Sequence, residues 1–371
     1  MRLIITGDVV PTEVTRPAFD AGDAHALMGD CLDILQAGDF TIGNLECALT
    51  DRDTPIRKCG PNLKGAPQHA ALLRRCGFTH LGLSNNHVMD FGITGMRDTI
   101  ASIQQAGMVP FGYGENEEDS RKPVYLEKDG LKVGIIAVCE HEYSYALPDQ
   151  MGATPFDPFD TMEVIADARQ QCDFLAVMYH GGKEQCRVPS PRLRRACRAM
   201  VRAGADLVLT QHSHCIGSRE HYRGGEIVYG QGNFNFVTHV DHPHWQSGLI
   251  ADVRVDKTGF QVEYHPVVIT DTGIRLASGA RRAALLNDFA ALSEQIRDER
   301  TALKLWEDFC FDEKQRYYYS LVIDGFADPA SDDGVRQVFP HYLDCEAHLD
   351  VWQTVFKTWH AKKETEIQPD N

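Results

Sequence analysis

The chain has 371 residues, 43% apolar and 24% charged, which suits one large packed domain with or without an appendage and excludes a disordered chain. Its formal net charge of −16 repels nucleic acid and anionic membrane surfaces, so neither is expected as a partner. A small or polymeric anionic substrate stays admissible, because a bound divalent cation reverses the sign locally.

In chain order, residues 2–6 (RLIIT) form a β-branched run that stops at Gly7-Asp8. Residues 24–37 have helical apolar spacing, and FTIGNLE after them is a strand ending in a loop. A helix is expected over 67–76, a strand at THLGLS, a helix over 93–106 stopped by Gly107, and a strand at VPFGYG. Residues 123–127 and 132–138 make a hairpin around Asp129-Gly130. There follow a helix over 160–170, the apolar strand DFLAVMYH, an Arg-rich helix over 189–203, and ADLVLTQHSH, a strand with its exit loop. GEIVYGQGNF, SGLIADVRV and FQVEYHPVVI are successive strands without helices between them, and are expected to pair antiparallel. After about residue 273 the pattern turns helical over 280–306, then passes a Tyr-rich stretch (RYYYSL) to a final helix near 344–360 and a polar tail expected to fray. The alternation implies an α/β domain over 1–272, with a helical extension over 273–371 packing on it.

Eleven scattered cysteines, an odd number with no C-x-x-C pair, point to free thiols in a reduced, cytoplasmic setting. The first residues are too short an apolar run for a signal peptide, and no stretch approaches membrane-spanning length, so no membrane anchor is expected.

The informative polar residues fall where strands end. Asp8 follows the first strand, Asn44 and Glu46 the second, and Asn85, Asn86, His87 and Asp90 the third. His180 ends DFLAVMYH, and His212 with His214 follow ADLVLT. The carboxyl ends of strands are where open α/β sheets bind ligands. Five strands sending carboxylate, carboxamide or imidazole to one sheet edge therefore describe one shared site. That donor set suits Zn, Mn or Fe, and two such ions clamp the attacking and leaving oxygens of a phosphoryl transfer. His239, His242 and His244 (HVDHPHW) have metal-like spacing but fall in a Pro-containing loop, and are expected to be exposed. Cys186 and Cys215 lie near the candidate histidines; the remaining cysteines are expected to be buried apolar residues.

The ordered series GD, GNLE, SNNHVMDFG, YHGGKE, AGADLVLTQHSH and YGQGNFNF resembles the poly-γ-glutamate capsule synthesis family, CapA, a branch of the calcineurin-like metallophosphoesterases. The resemblance covers about residues 1–270. It implies a four-layer α/β/β/α metallophosphoesterase-like sandwich with one or two divalent metal ions (Mn, Zn or Fe) between the sheets. By motif position Asp8 and Asn86 are metal ligands, His180 and His212 bind one ion, and His214 the other. Asn44 stands where a bridging Asp is usual, with Glu46 as the carboxylate able to replace it. His87 is the leaving-group acid, with Asp90 beside it in the catalytic loop. Lys64 (NLKGAP), Glu184 and Asn233 are candidates for substrate-side or supporting positions. Val10 departs from the usual Asp-x-His first motif and Asn44 from the bridging Asp, so the two metal positions are expected to differ in affinity. The implied function is a metal-dependent hydrolase that attacks a phosphoester or related anionic bond with metal-activated water. A non-hydrolytic binding or assembly component of poly-γ-glutamate capsule biosynthesis, and a γ-glutamyl amide hydrolase, are the alternatives.

Overall fold

The computed structural model describes residues 1–239, 241–322 and 337–366. The main strands in its first part are β1 (Arg2–Val9), β2 (Phe40–Leu45), β3 (His80–Gly82) and β4 (Val109–Phe111). Then come β5 (Val124–Lys128), β6 (Leu131–Cys139), β7 (Phe174–His180), β8 (Leu207–Gln211), β9 (Ile216–Tyr222) and β10 (Gly225–Gln231). The last are β11 (Asn233–Asn235), β12 (Ser247–Asp256), β13 (Gly259–Ile269) and β14 (Ile274–Leu276).

They form two sheets. The first runs β14-β13-β12-β1-β2-β3-β4, with β11 beside β1, and the second runs β9-β10-β8-β7-β6-β5. Because strand side chains alternate between faces, each sheet buries one set of residues against the other sheet and one against helices. Leu3, Ile5, Ile42 and Leu249 of the first sheet meet Ile135, Ala176, Met178 and Leu209 of the second. The outer face of the first sheet packs Ile4 and Leu45 with Phe19, Leu27, Leu73 and Ile103 from its helices. The outer face of the second packs Ile136, Val177 and Val208 with Leu193, Trp306 and Trp352. The result is the expected four-layer α/β/β/α sandwich. It explains why β7 is buried at every position: both of its faces are covered.

Several local expectations change. The helix expected over 24–37 is two pieces, Ala24–Met28 and Cys31–Gln36. The break is at Gly29, whose φ of +50° and approach to the Ile274 carbonyl (2.8 Å from a Cβ placed there) suit no other residue. GEIVYGQ does not pair with SGLIADVRV as expected: it lies in the second sheet, antiparallel to β9 and parallel to β8, because β9 supplies the reversal between them. β12 and β13 do pair antiparallel. The helix expected over 280–306 is Gly279–Gln295 followed by Glu299–Val322, and the backbone of RYYYSL lies in the second of these. β14 still belongs to the sheet, so the helices begin at Gly279. The last two helices are Val338–Asp344 and Glu346–Glu366; the tail from 367 lies outside the described residues. Among the described residues, no helix is long and apolar enough to cross a membrane.

Candidate metal centre

Two sheets, not one edge, contribute the site. The carboxyl ends of β1, β2 and β3 meet those of β7 and β8 across the sandwich. β1 puts Asp8 in register with Asn44 of β2 and Asn233 of β11, and β7 puts His180 in register with Gln211, one residue before His212. Gly7 permits the close approach there, since a Cβ on it would lie 2.2 Å from the Gly232 carbonyl oxygen.

Asp8, Glu46, His180, His212 and His214 surround one small volume. Ligand atoms of Asp8, Glu46 and His180 lie within 4.8 Å of one another, and so do those of Glu46, His212 and His214, so His212 groups with His214 where the resemblance implied His180. Glu46 is common to both groups. Its Oε1 is 3.4 Å from His180 Nε2 and 3.9 Å from His214 Nε2, yet neither carboxylate oxygen has a hydrogen-bond partner. A buried carboxylate left this way is costly unless a cation completes it. Burial pushes both Asp8 and Glu46 up to about 7, helped by the Glu46 charge at Asp8 and by Glu184 at Glu46, and opposed at both by nearby imidazoles.

Asn44 and Asn86 hold His180. Asn44 Nδ2 donates to Asp8 Oδ1 at 2.8 Å and lies 3.1 Å from His180 Nδ1, while its Oδ1 accepts from Asn85 at 3.0 Å. Both ends of the Asn44 amide are thus engaged within the cluster. Asn86 Oδ1 lies 2.9 Å from His180 Nε2. The other histidines sit on a strained turn: His212 has φ +77° and His214 φ +53°. Left-handed backbone at a non-glycine costs about 1–3 kcal/mol, and here it points the rings to the cluster. His212 Nδ1 is buried without a partner, whereas His214 Nδ1 lies 2.9 Å from Asn233 Oδ1. Burial pushes His180 and His214 down to about 3, the neutral form that ligates metal. For His212 burial opposes charge, but the facing Glu142 outweighs it and raises the ring to about 10.

His87 and Asp90 form a separate pair at the rim. His87 Nδ1 is 2.7 Å from Asp90 Oδ2, and Lys58 Nζ is 2.5 Å from Asp90 Oδ1. The Leu63 amide also donates to Asp90, at 2.6 Å. The neighbour of His87 in sequence, Asn86, reaches His180 Nε2 at 2.9 Å, so the pair lies beside the cluster.

The remaining candidates divide. Glu184 is half-buried and its carboxyl is held down at about 2: burial opposes charge, but Lys183, His212 and His214 outweigh it. Asn233 braces His214 and donates to the Trp245 carbonyl at 3.1 Å. Lys64 is turned elsewhere, its ammonium donating to the Arg52 carbonyl and Asp53 at 2.6 and 2.7 Å; Lys58 occupies the buried cationic position. His239 is exposed and His242 and His244 half-buried in their loop, whose Trp245 packs on the His214 ring at 4.3 Å. Val10 is buried in the apolar layer outside the first sheet. All eleven cysteines are free, and Cys186 and Cys215 are buried.

Sequence reasoning missed Lys58 and Glu142. Glu142 is buried, accepts from Asn86 Nδ2 at 2.9 Å, and lies 3.4 Å from His212 Nε2. It follows β6 as Asp8 follows the bulk of β1, so the strand-end rule could have found it. Lys58 lies in an irregular loop and carries no such signal. A cavity of about 570 Å³ opens beside Glu142, lined also by Tyr143, Pro340 and His341.

Comparison with known proteins places the chain. Residues 2–238 match the family described as "Bacterial capsule synthesis protein PGA_cap". The chain is 31% identical over 211 residues to the capsule biosynthesis protein CapA of Bacillus anthracis, covering 54% of this chain and 51% of that protein. It is 27% identical over 234 residues to the PGA biosynthesis protein CapA of Bacillus subtilis (strain 168), covering 62% of each. It thus spans about half to three-fifths of the length of these relatives. Among solved structures, a hypothetical protein from Thermus thermophilus aligns with a TM-score of 0.45 at 15% identity, covering 72% of this chain and 98% of that one.

Proposed function

The chain belongs to the bacterial capsule synthesis protein family PGA_cap, and we propose that it is a divalent-metal-dependent hydrolase acting on a phosphoester or related anionic bond. The observation that carries this is Glu46: two buried carboxylate oxygens without partners, set among three imidazoles and a second carboxylate. Such a donor set fits Mn, Zn or Fe. Asp8, Glu46, His180, His212 and His214 would hold the metal, with Asn86 beside them. A bound divalent ion supplies Lewis-acid polarisation and lowers the pKa of water toward neutrality.

The chain's own residues supply the rest. His87 is oriented through Nδ1 by Asp90, which leaves Nε2 to hand a proton to a departing oxygen. Lys58 neutralises Asp90, and so keeps that carboxylate in place beside the ring. The strained His212–His214 turn and the Asn44 and Asn86 amides fix the ligands before anything binds, so no reorganisation is needed at the moment of reaction.

A second reading is a non-hydrolytic component of polymer assembly, in keeping with the biosynthetic names of the two relatives. It is favoured by Val10, apolar and buried, and by Asn44, whose amide is already engaged at both ends. Metal analysis of purified protein, then a screen of phosphoesters and γ-glutamyl compounds with that metal restored, separates the readings. Hydrolysis is expected with metal and is expected to vanish with chelator. A protein that binds no metal under any condition supports the assembly role instead.

A further inference from the structure

The C-terminal helices bring a second group of metal-ligating side chains against the core. Cys345 joins the helices Val338–Asp344 and Glu346–Glu366, and His348 follows in the first turn of the latter. Cys345 is extended and stands just before that helix, so the two meet at its N-terminal end. Glu142, from the loop after β6, stands opposite. Cys345 Sγ donates to Glu142 Oε1 at 2.9 Å, and ligand atoms of Glu142, Cys345 and His348 all lie within 4.8 Å of one another.

Glu142 and Cys345 are buried, at 7% and 0% exposure. The loop carrying Glu142 is held in an unusual shape: Tyr143 has φ +59°, uncommon for a bulky residue, and its ring stacks on His341 at 5.4 Å. The loop and the helices are therefore clamped around this point. A cavity of about 570 Å³ reaches this group at Glu142, between Tyr143 and His341. Thiol, imidazole and carboxylate from three positions are a donor set for zinc, whose fourth ligand would be water.

We propose that Glu142, Cys345 and His348 form a thiolate-containing cation site for Zn²⁺ or a similar borderline divalent ion, distinct from the core centre and joined to it through Glu142. Glu142 is the link because its other contacts are Asn86 and His212. Binding converts the Cys345 thiol to a thiolate ligand and releases one proton to solvent. The ion would tie helices that lie outside the family match at residues 2–238 to the centre inside it. This site does not depend on the hydrolase reading, since a metal-loaded assembly protein could hold it equally well.

The test uses the full chain, stripped with chelator and titrated with Co²⁺. Among the three candidate donor groups at the site and core, this one alone includes a thiol, so a thiolate-to-cobalt absorption in the near ultraviolet reports it specifically. The expected result is that band in the wild type and in Glu46→Gln, its loss in Cys345→Ser, and at least tenfold weaker cobalt binding at it in His348→Ala. Bound cobalt should fall by one equivalent per chain in Cys345→Ser, with the far-ultraviolet circular dichroism unchanged. Cobalt bound without a thiolate band, a band that survives Cys345→Ser, or no cobalt bound at all would each overturn the proposal. Core loading is read separately: if Glu46→Gln leaves the total count unchanged, the core reading fails while the thiolate band still decides this one.

Discussion

His87 Nδ1 and Asp90 Oδ2 lie 2.7 Å apart, three residues from each other in the loop after β3. Asp90 is fully buried and is held on its other oxygen by Lys58 at 2.5 Å, so the ring is oriented by a carboxylate that cannot turn away. A histidine that only filled space would need neither partner. The arrangement would suit a proton donor, which needs one nitrogen fixed and the other left for the reacting group.

Replacing His87 by Ala should lower turnover by roughly 10²–10⁴-fold on an alkyl phosphoester, whose leaving group must be protonated. The loss should be much smaller on a nitrophenyl ester, whose leaving group departs as an anion. Asp90→Asn should fall in the same direction on both substrates but less steeply. Steady-state rates on the two esters check this, and equal losses for His87→Ala on both would assign His87 to positioning instead.

Lys58 makes a separate stability prediction. Its side chain is 2% exposed and that of Asp90 0%. Removing one partner of a buried pair strands the other, at a cost of about 3–5 kcal/mol. Lys58→Met should therefore destabilise the fold by about that much in denaturant titration. The double variant Lys58→Met with Asp90→Asn should recover a good part of it. A single-variant cost near zero would mean that Asp90 relaxes onto the Leu63 amide and His87 alone.

The sequence made much of this visible, for a physical reason. Strands, their apolar faces and the residues just past their ends are local properties, so Asp8, Glu46, Asn86, His180, His212 and His214 could be picked without knowing how the sheets stack. What local pattern does not carry is pairing across the chain. β9 was missed because its sequence, GSREHY, turns polar halfway along an edge strand, and with it went the parallel course of β10. The break at Gly29 depends on the Ile274 carbonyl, far along the chain. Lys64 and Lys58 are alike as sequence; only the packing of their loop buries one and leaves the other to Asp53. Glu142 and Cys345 are 203 residues apart, and no periodicity encodes their meeting.

The metal-free protein should show a pH dependence traceable to Glu46. Burial raises its carboxyl from 4.5 to about 7, so the folded state holds its proton more tightly than the unfolded chain. The stabilisation from that proton is complete below 4.5, the unfolded value, and is lost as pH rises through about 7. Glu46→Gln cannot titrate. In chelator, the unfolding free energy of Glu46→Gln relative to wild type should therefore climb between pH 4.5 and 7, at roughly 1.4 kcal/mol per pH unit at most. Added Mn²⁺ or Zn²⁺ should reverse the order, because the ionised carboxylate then gains a partner. A difference that stays flat across this range in chelator would show that Glu46 ionises freely in the folded protein.

The shared position of Glu46 also predicts how metal is lost. Asp8 and His180 form one donor group with Glu46, and His212 and His214 form the other with the same residue. A ligand used once affects one ion; a ligand used twice affects both. His180→Ala should cost one metal equivalent and leave the other largely in place, and His214→Ala should do the converse. Glu46→Gln should weaken both together, so that its loss exceeds that of either histidine variant. Val10 bears on the expectation of unequal sites: it is buried in the apolar layer and adds no donor beside Asp8. Dialysis without chelator should then remove one core equivalent well before the other, and elemental analysis with the Cys345→Ser background keeps the thiolate site out of the count. Two core ions that leave at the same rate from the wild type, or a Glu46→Gln variant that loses only one, would show that Glu46 serves a single ion and that another group completes the second.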